Sequence, residues 1–134
     1  MSIFSSPRFL RNVLFADAAS CLGTGALQLL FTAPLADLLH LPISLLAATG
    51  LFLVAYGGLV AYVATREPVS RGLVWLFVAG NVGWAVACGV LIAGRVVEPT
   101  LLGQLWVLAQ AATVLVLAEL QWTGLRRQPT PGWA

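Results

Sequence analysis

The sequence contains no lysine, a single histidine (His40) and two cysteines (Cys21 and Cys88), with only seven arginines and five acids along 134 residues. Each scarcity excludes something. One histidine cannot supply bis-histidine haem ligation, and no group of His, Cys, Asp and Glu is dense enough to hold a metal, so neither a metal nor another cofactor is expected. No CxxC is present, which removes the motif of thiol–disulfide exchange. Cys21 and Cys88 fall at depths roughly 8–10 Å apart along their helices, too far for a disulfide, whose Cα atoms lie within about 7 Å. Nucleotide-binding glycine motifs are missing too. The GTG at 23–25 lies in an apolar stretch where a phosphate loop has no role. Charged residues make up 9% of the chain and hydrophobic ones 60%, with a mean hydropathy of +0.93. A soluble surface needs far more charge, whereas a chain solvated by lipid does not.

The charges are also segregated. Residues 42–65, 72–94 and 100–118 hold no acid or base apart from tyrosine, and 12–36 holds only Asp17. Each run is near or above the roughly 20 residues that cross about 30 Å of hydrocarbon as a helix. All seven prolines fall at the ends of runs or in the tails, where a missing backbone donor costs least. Alternating segments of ~10 residues, the mark of a membrane β-barrel, do not occur. The expected fold is therefore all-α: a polytopic membrane protein, an antiparallel bundle of four transmembrane helices forming a single domain over 1–134. The spans are placed at about 11–32, 43–65, 71–94 and 100–123. TAPLADLLHLP supplies a short interfacial segment over 33–41 that opens at Pro34, and 124–134 is read as an exposed tail. The first run is read as retained, because it exceeds the ~7–15 residues of a signal h-region and Asp17 interrupts it.

Four spans put both termini and the TREPVSR loop on one side, with Arg8, Arg11, Arg66, Arg71, Arg126 and Arg127; only Arg95 lies opposite. The positive-inside rule makes the six-arginine side cytoplasmic, with both termini there. These arginines suit anionic headgroups. Nothing in them points to nucleic acid.

Polar residues inside the runs are the candidate site. Asp17, Cys21, Thr24 and Gln28 share one helical face, which must turn toward protein or water. Counted from the helix ends, Cys21, Tyr56, Asn81, Trp84 and Gln110 reach the middle of the membrane, predicting a shared polar layer. Asp17 and Glu119 are expected at one depth. As a pair they would form a proton or cation site. Alternatively both reach the interface and pair with Arg8, Arg11, Arg126, Arg127, Asn12 or Gln121. Asn81 and Gln110 read as interhelical hydrogen-bond glue or as ligand contacts, and the Trp84 indole as seeking Asn81 or Gln110. Ala79, Gly83 and Ala87 form a small-residue ridge expected to serve helix packing, within the bundle or as a homodimer seam. A faint internal echo lays ADAASCLGTGAL (16–27) over GNVGWAVACGVL (80–91), aligning Asp17 with Asn81 and Gly25 with Gly89.

ADAASCLGTGALQLL, HLP before the second span and AELQWTGLRR at the end together resemble a group of small four-helix bacterial inner-membrane proteins, a resemblance that implies the fold and no mechanism. More loosely, four short spans with an acid in the first are similar to the small multidrug-resistance exporters. That similarity implies a homodimer exchanging protons for hydrophobic cations, with Asp17 in the carrier role. This chain differs in having aspartate rather than glutamate, a second acid at Glu119 and the extra segment at 33–41. Because no nucleophile, base and orienting group can be assembled, no enzyme is expected. The leading expectation is a membrane subunit whose partner is the bilayer together with a second protein or a hydrophobic ligand. A proton-coupled homodimeric transporter is the alternative.

Overall fold

The computed structural model describes residues 7–127, which form five helices and no strand: α1 (Pro7–Leu30), α2 (Thr32–Leu39), α3 (Ile43–Thr65), α4 (Arg71–Ala93) and α5 (Leu101–Arg127). All but α2 are long and apolar enough to cross a membrane. In hydrocarbon every backbone N–H and C=O must find its partner within the segment, and a helix does this. The chain is a multi-pass membrane protein.

Boundaries follow local chemistry. Pro42 caps α3 in an extended conformation, and the Ser70 hydroxyl accepts a hydrogen bond from the Leu73 N–H at 3.4 Å to start α4. α2 ends at His40, a left-handed residue with φ of 55° whose backbone N–H donates to the Ala36 carbonyl. Histidine is among the residues that tolerate this region, so His40 serves as a helix terminator. The expected short segment at 33–41 is thus a helix that packs on α3 and α5. At the other terminus the expected tail needs correction. α5 continues through Arg127, because Gly124 and Leu125 are buried and Arg71 donates to the Leu125 carbonyl at 3.0 Å. The rest of that tail, 128–134, lies outside the described residues.

The helices pair unevenly. α1 packs along α3, α4 along α5, and the two hairpins meet chiefly through α1 and α5, whereas α3 and α4 hardly approach. In cross-section the bundle is a C, in the order α3–α1–α5–α4, open between its outer arms. α4 accordingly buries far less of its apolar length than α1 does.

The α1–α3 seam is closed by glycine. A Cβ on Gly25 would lie 2.8 Å from the Gly50 carbonyl oxygen, and one on Gly57 would lie 2.9 Å from Leu22 Cγ. Close approach between membrane helices needs such residues, and here Gly25, Gly50 and Gly57 provide it. The ridge of Ala79, Gly83 and Ala87 does not. All three are exposed, and a Cβ on Gly83 would meet nothing within 4 Å. The ridge therefore takes no part in packing within the bundle.

Two apolar plugs close the ends. At the arginine end Leu10, Leu14, Val60, Val74, Phe77 and Leu125 are buried together, and Arg11 pairs with Glu67 at 2.5 Å. At the far end Ala36, Leu39, Leu41, Leu46, Cys88 and Val107 pack together. There Thr100 joins α2 to α5. Its N–H donates to the Leu39 carbonyl (3.1 Å), its hydroxyl donates to the Leu38 carbonyl (2.9 Å), and the same oxygen accepts from the Gly103 N–H (3.1 Å).

Within the internal echo only Asp17 and Asn81 are buried on both sides, although the same offset continues to buried pairs upstream of it. Leu10 and Val74, Val13 and Phe77, and Asp17 and Asn81 are matched pairs that are all buried. The match fails farther along: Gly25 is wedged against α3, while Gly89 faces open space.

Candidate functional site

Asp17 is fully buried and lies between α1, α4 and α5. Its Oδ2 accepts hydrogen bonds from Gln121 Nε2 at 2.6 Å and Asn81 Nδ2 at 3.0 Å, and its Oδ1 faces the Cys21 thiol at 3.5 Å. Asn81 Nδ2 also donates to Gln121 Oε1 at 3.2 Å. The carboxylate therefore orients both amides, which close a three-residue ring around it. Desolvating these groups singly would be costly, and satisfying one another makes their burial tolerable. Four helices are drawn toward this one layer, because Cys21 also packs against Gly57 of α3.

Glu119 does not join it. Two residues before Gln121 it sits about 200° around the helix, and it is exposed on the outer face of α5. The expected carboxylate pair is therefore absent. Nor does Asp17 pair with Arg11, which is engaged with Glu67. Gln121, expected among the partners of the acids, does bond Asp17 and makes its shortest contact, in a buried layer.

The single polar layer expected at mid-membrane is divided into separate groups. Trp84 Nε1 donates to Gln110 Oε1 at 3.2 Å within the α4–α5 hairpin. The Tyr56 hydroxyl leaves the layer and donates to the Phe77 carbonyl at 3.2 Å, helping to bridge α3 and α4. Gln28 Nε2 donates to Thr49 Oγ1 at 2.8 Å and to the Leu46 carbonyl at 2.9 Å, a pairing whose only sequence signal is that both side chains are polar within apolar runs. Phe52 of α3 stacks on Trp84 of α4, with ring centroids 5.8 Å apart and planes 10° apart. Aromatic side chains thus span the gap that the backbones leave.

Three cavities, of about 430, 300 and 200 Å³, share Trp84 as a wall, and the first reaches into the far plug. The largest extends toward the far end between Leu45, Thr49, Ala87 and Trp106. The second runs beside Phe52, Tyr56 and Gly83 and reaches Cys21 and Asn81. The third opens between α1 and α5 at Ser20, Thr24, Gln110 and Thr113. Walls of hydrophobic and aromatic side chains with a few placed polar groups are the usual makeup of a small-molecule pocket, and the two larger volumes fall within the usual range of roughly 300–1,000 Å³. Of the residues singled out from sequence, Tyr56, Asn81, Trp84 and Gln110 line this cleft, and Asp17 stands one hydrogen bond behind it. Gly83 and Ala87 also line it, as wall rather than seam.

The chain matches no protein-family model, no curated protein and no solved structure. Its function is therefore read from this geometry.

Proposed function

We propose that the protein is a non-enzymatic membrane subunit that holds a hydrophobic molecule, drawn sideways from the bilayer, in the cleft between its two hairpins. We place it in a bacterial inner membrane with the arginine end toward the cytoplasm. The observation that carries the reading is the convergence of three cavities on Trp84 within the spans, where lipid rather than water is the surrounding solvent. An occupant arriving there leaves one apolar medium for another, so affinity must come from close packing and a few polar contacts.

Gly83 provides the test, because a side chain added there meets open cleft rather than protein. In nanodiscs a dibrominated alkane is expected to quench the tryptophan fluorescence of the wild type saturably. Gly83→Phe, which fills the cleft, should weaken that saturable component about tenfold while the fold persists. Equal quenching in both proteins, or none that saturates, would remove the reading.

A second reading has its own support. Asn81 and Cys21 both line the cleft and both contact Asp17, and the ridge of Ala79, Gly83 and Ala87 offers a second copy a smooth face. A homodimer exchanging protons for a small molecule through Asp17 would use both features. Liposomes carrying a pH gradient decide it: flux of a lipophilic cation present in wild type and lost in Asp17→Asn is the expected result, and flux unaffected by that change counts it out.

A further inference from the structure

The polar atoms along the cleft are unequal in kind. Trp84 has only a donor to offer, so the Gln110 carbonyl must face it, which turns the Gln110 N–H₂ the other way. Among the described residues that amide N–H₂ meets no acceptor, nor does the Trp106 indole N–H, and neither is a sealed buried group. The hydroxyls of Ser20 and Thr24 line the same cavity and likewise have no partner among the described residues. Gln110 and Trp106 each border both the α1–α5 opening and the 430 Å³ cavity. The cleft therefore presents several N–H and O–H donors without a partner, the hydroxyls being able to accept as well.

Depth narrows what can answer them. Gln110 lies nine residues into α5 from Leu101, about 13 Å along the helix at 1.5 Å per residue. That is near the middle of a hydrocarbon layer about 30 Å thick. The ester carbonyls of bilayer lipids sit at the edges of that layer, so they do not supply an acceptor for Gln110. A freely dissolved lipophile with oxygen on a ring does, and the ring also suits walls made of Trp84, Trp106 and Phe52, whose faces favour offset stacking.

We propose that the occupant of the cleft is a carbonyl-bearing cyclic lipophile of the quinone class, its oxygens held by the N–H groups of Gln110 and Trp106 and by the hydroxyls of Ser20 and Thr24. This rests on the hydrophobic-ligand reading above and adds the ligand's chemistry. Binding alone is proposed, with no redox step.

The probes are decylubiquinone, followed by saturable quenching of tryptophan fluorescence in phosphatidylcholine nanodiscs, and decylbenzene, followed by competition. Decylubiquinone should bind at least tenfold more tightly than decylbenzene. Gln110→Met and, separately, Trp106→Phe, which keeps its ring and loses only the N–H, should each weaken the quinone about three- to tenfold, the worth of one hydrogen bond. Neither should change decylbenzene. Equal affinity for the two probes would overturn the carbonyl assignment and leave the cleft reading standing. Quinone binding indifferent to both variants would also overturn it, by locating the ligand elsewhere. Absence of saturable binding by either probe would bring down both.

Discussion

Replacing Asp17 with leucine is expected to destabilise the detergent-solubilised bundle by about 2–4 kcal/mol, whereas asparagine at the same position should cost less than about 1 kcal/mol. Leucine removes the acceptor of Gln121 Nε2 and one of the two acceptors of Asn81 Nδ2, and it leaves both amides in a layer that is closed to solvent. A stranded buried donor costs roughly 1–3 kcal/mol, and membrane hydrogen bonds fall at the low end of that range. Asparagine keeps the shape and offers its carbonyl oxygen in place of Oδ2. Its amide nitrogen then faces the Cys21 sulfur, a weak acceptor. Unfolding titrations in sodium dodecyl sulfate, followed by circular dichroism, read both variants on one scale. If asparagine proves as damaging as leucine, then charge rather than hydrogen bonding holds the layer, and this account of Asp17 fails.

The second large effect belongs to the α1–α3 seam. Gly57→Leu should cost about 3 kcal/mol, the upper end of ordinary overpacking. Its Cβ alone would sit 2.9 Å from Leu22 Cγ, 3.0 Å from Cys21 Cβ and 3.1 Å from the Leu22 backbone nitrogen. A side chain can turn aside; a backbone atom of a packed helix cannot. Gly25→Val belongs to the same class, because its Cβ would press on the Gly50 carbonyl oxygen at 2.8 Å. Their neighbours give the contrast. Gly58 and Gly23 have open space where a Cβ would go, so leucine at either should change stability by no more than about 0.5 kcal/mol. Equal effects at positions 57 and 58 would mean that α3 is rotated from the orientation described.

The helices were legible because lipid imposes a simple rule: long uncharged runs must be helical, and their ends collect proline and arginine. Rotation about each axis was harder to read. When every face of a helix is apolar, no amphipathic contrast marks the side that meets protein, and only small or polar residues remain as guides. Asp17, Cys21 and Gln28 were sufficient for α1, and all three are buried. For α5 the guide was Glu119, which lies on the face opposite the one that matters, while Gln121 carried the information. On α4 the small-residue ridge drew attention away from Gly50 and Gly57, which recur seven residues apart on α3 and face Gly25 and Cys21 of α1. That signal was present in the sequence. The length of α5 was underestimated because arginine and glycine near an interface read as tail, yet Gly124 packs on Leu10 and keeps the chain helical. Trp84 and Gln110 were visible as partners, but cavities are what packing leaves over, and a residue pattern does not encode them directly.

Thr100, bonded to the carbonyls of Leu38 and Leu39, fastens the hairpins at one end, while Gln121 and Asn81, bonded to Asp17, fasten them toward the other. Fastened near both ends, the hairpins are held from swinging apart as rigid halves. On the proposed reading, an occupant entering between α3 and α4 must pass Phe52 and Trp84, whose stacked rings bridge that gap, whereas the opening between α1 and α5 lies away from Phe52. For an occupant held on the α3–α4 side, departure would then wait on two aromatic rings turning aside.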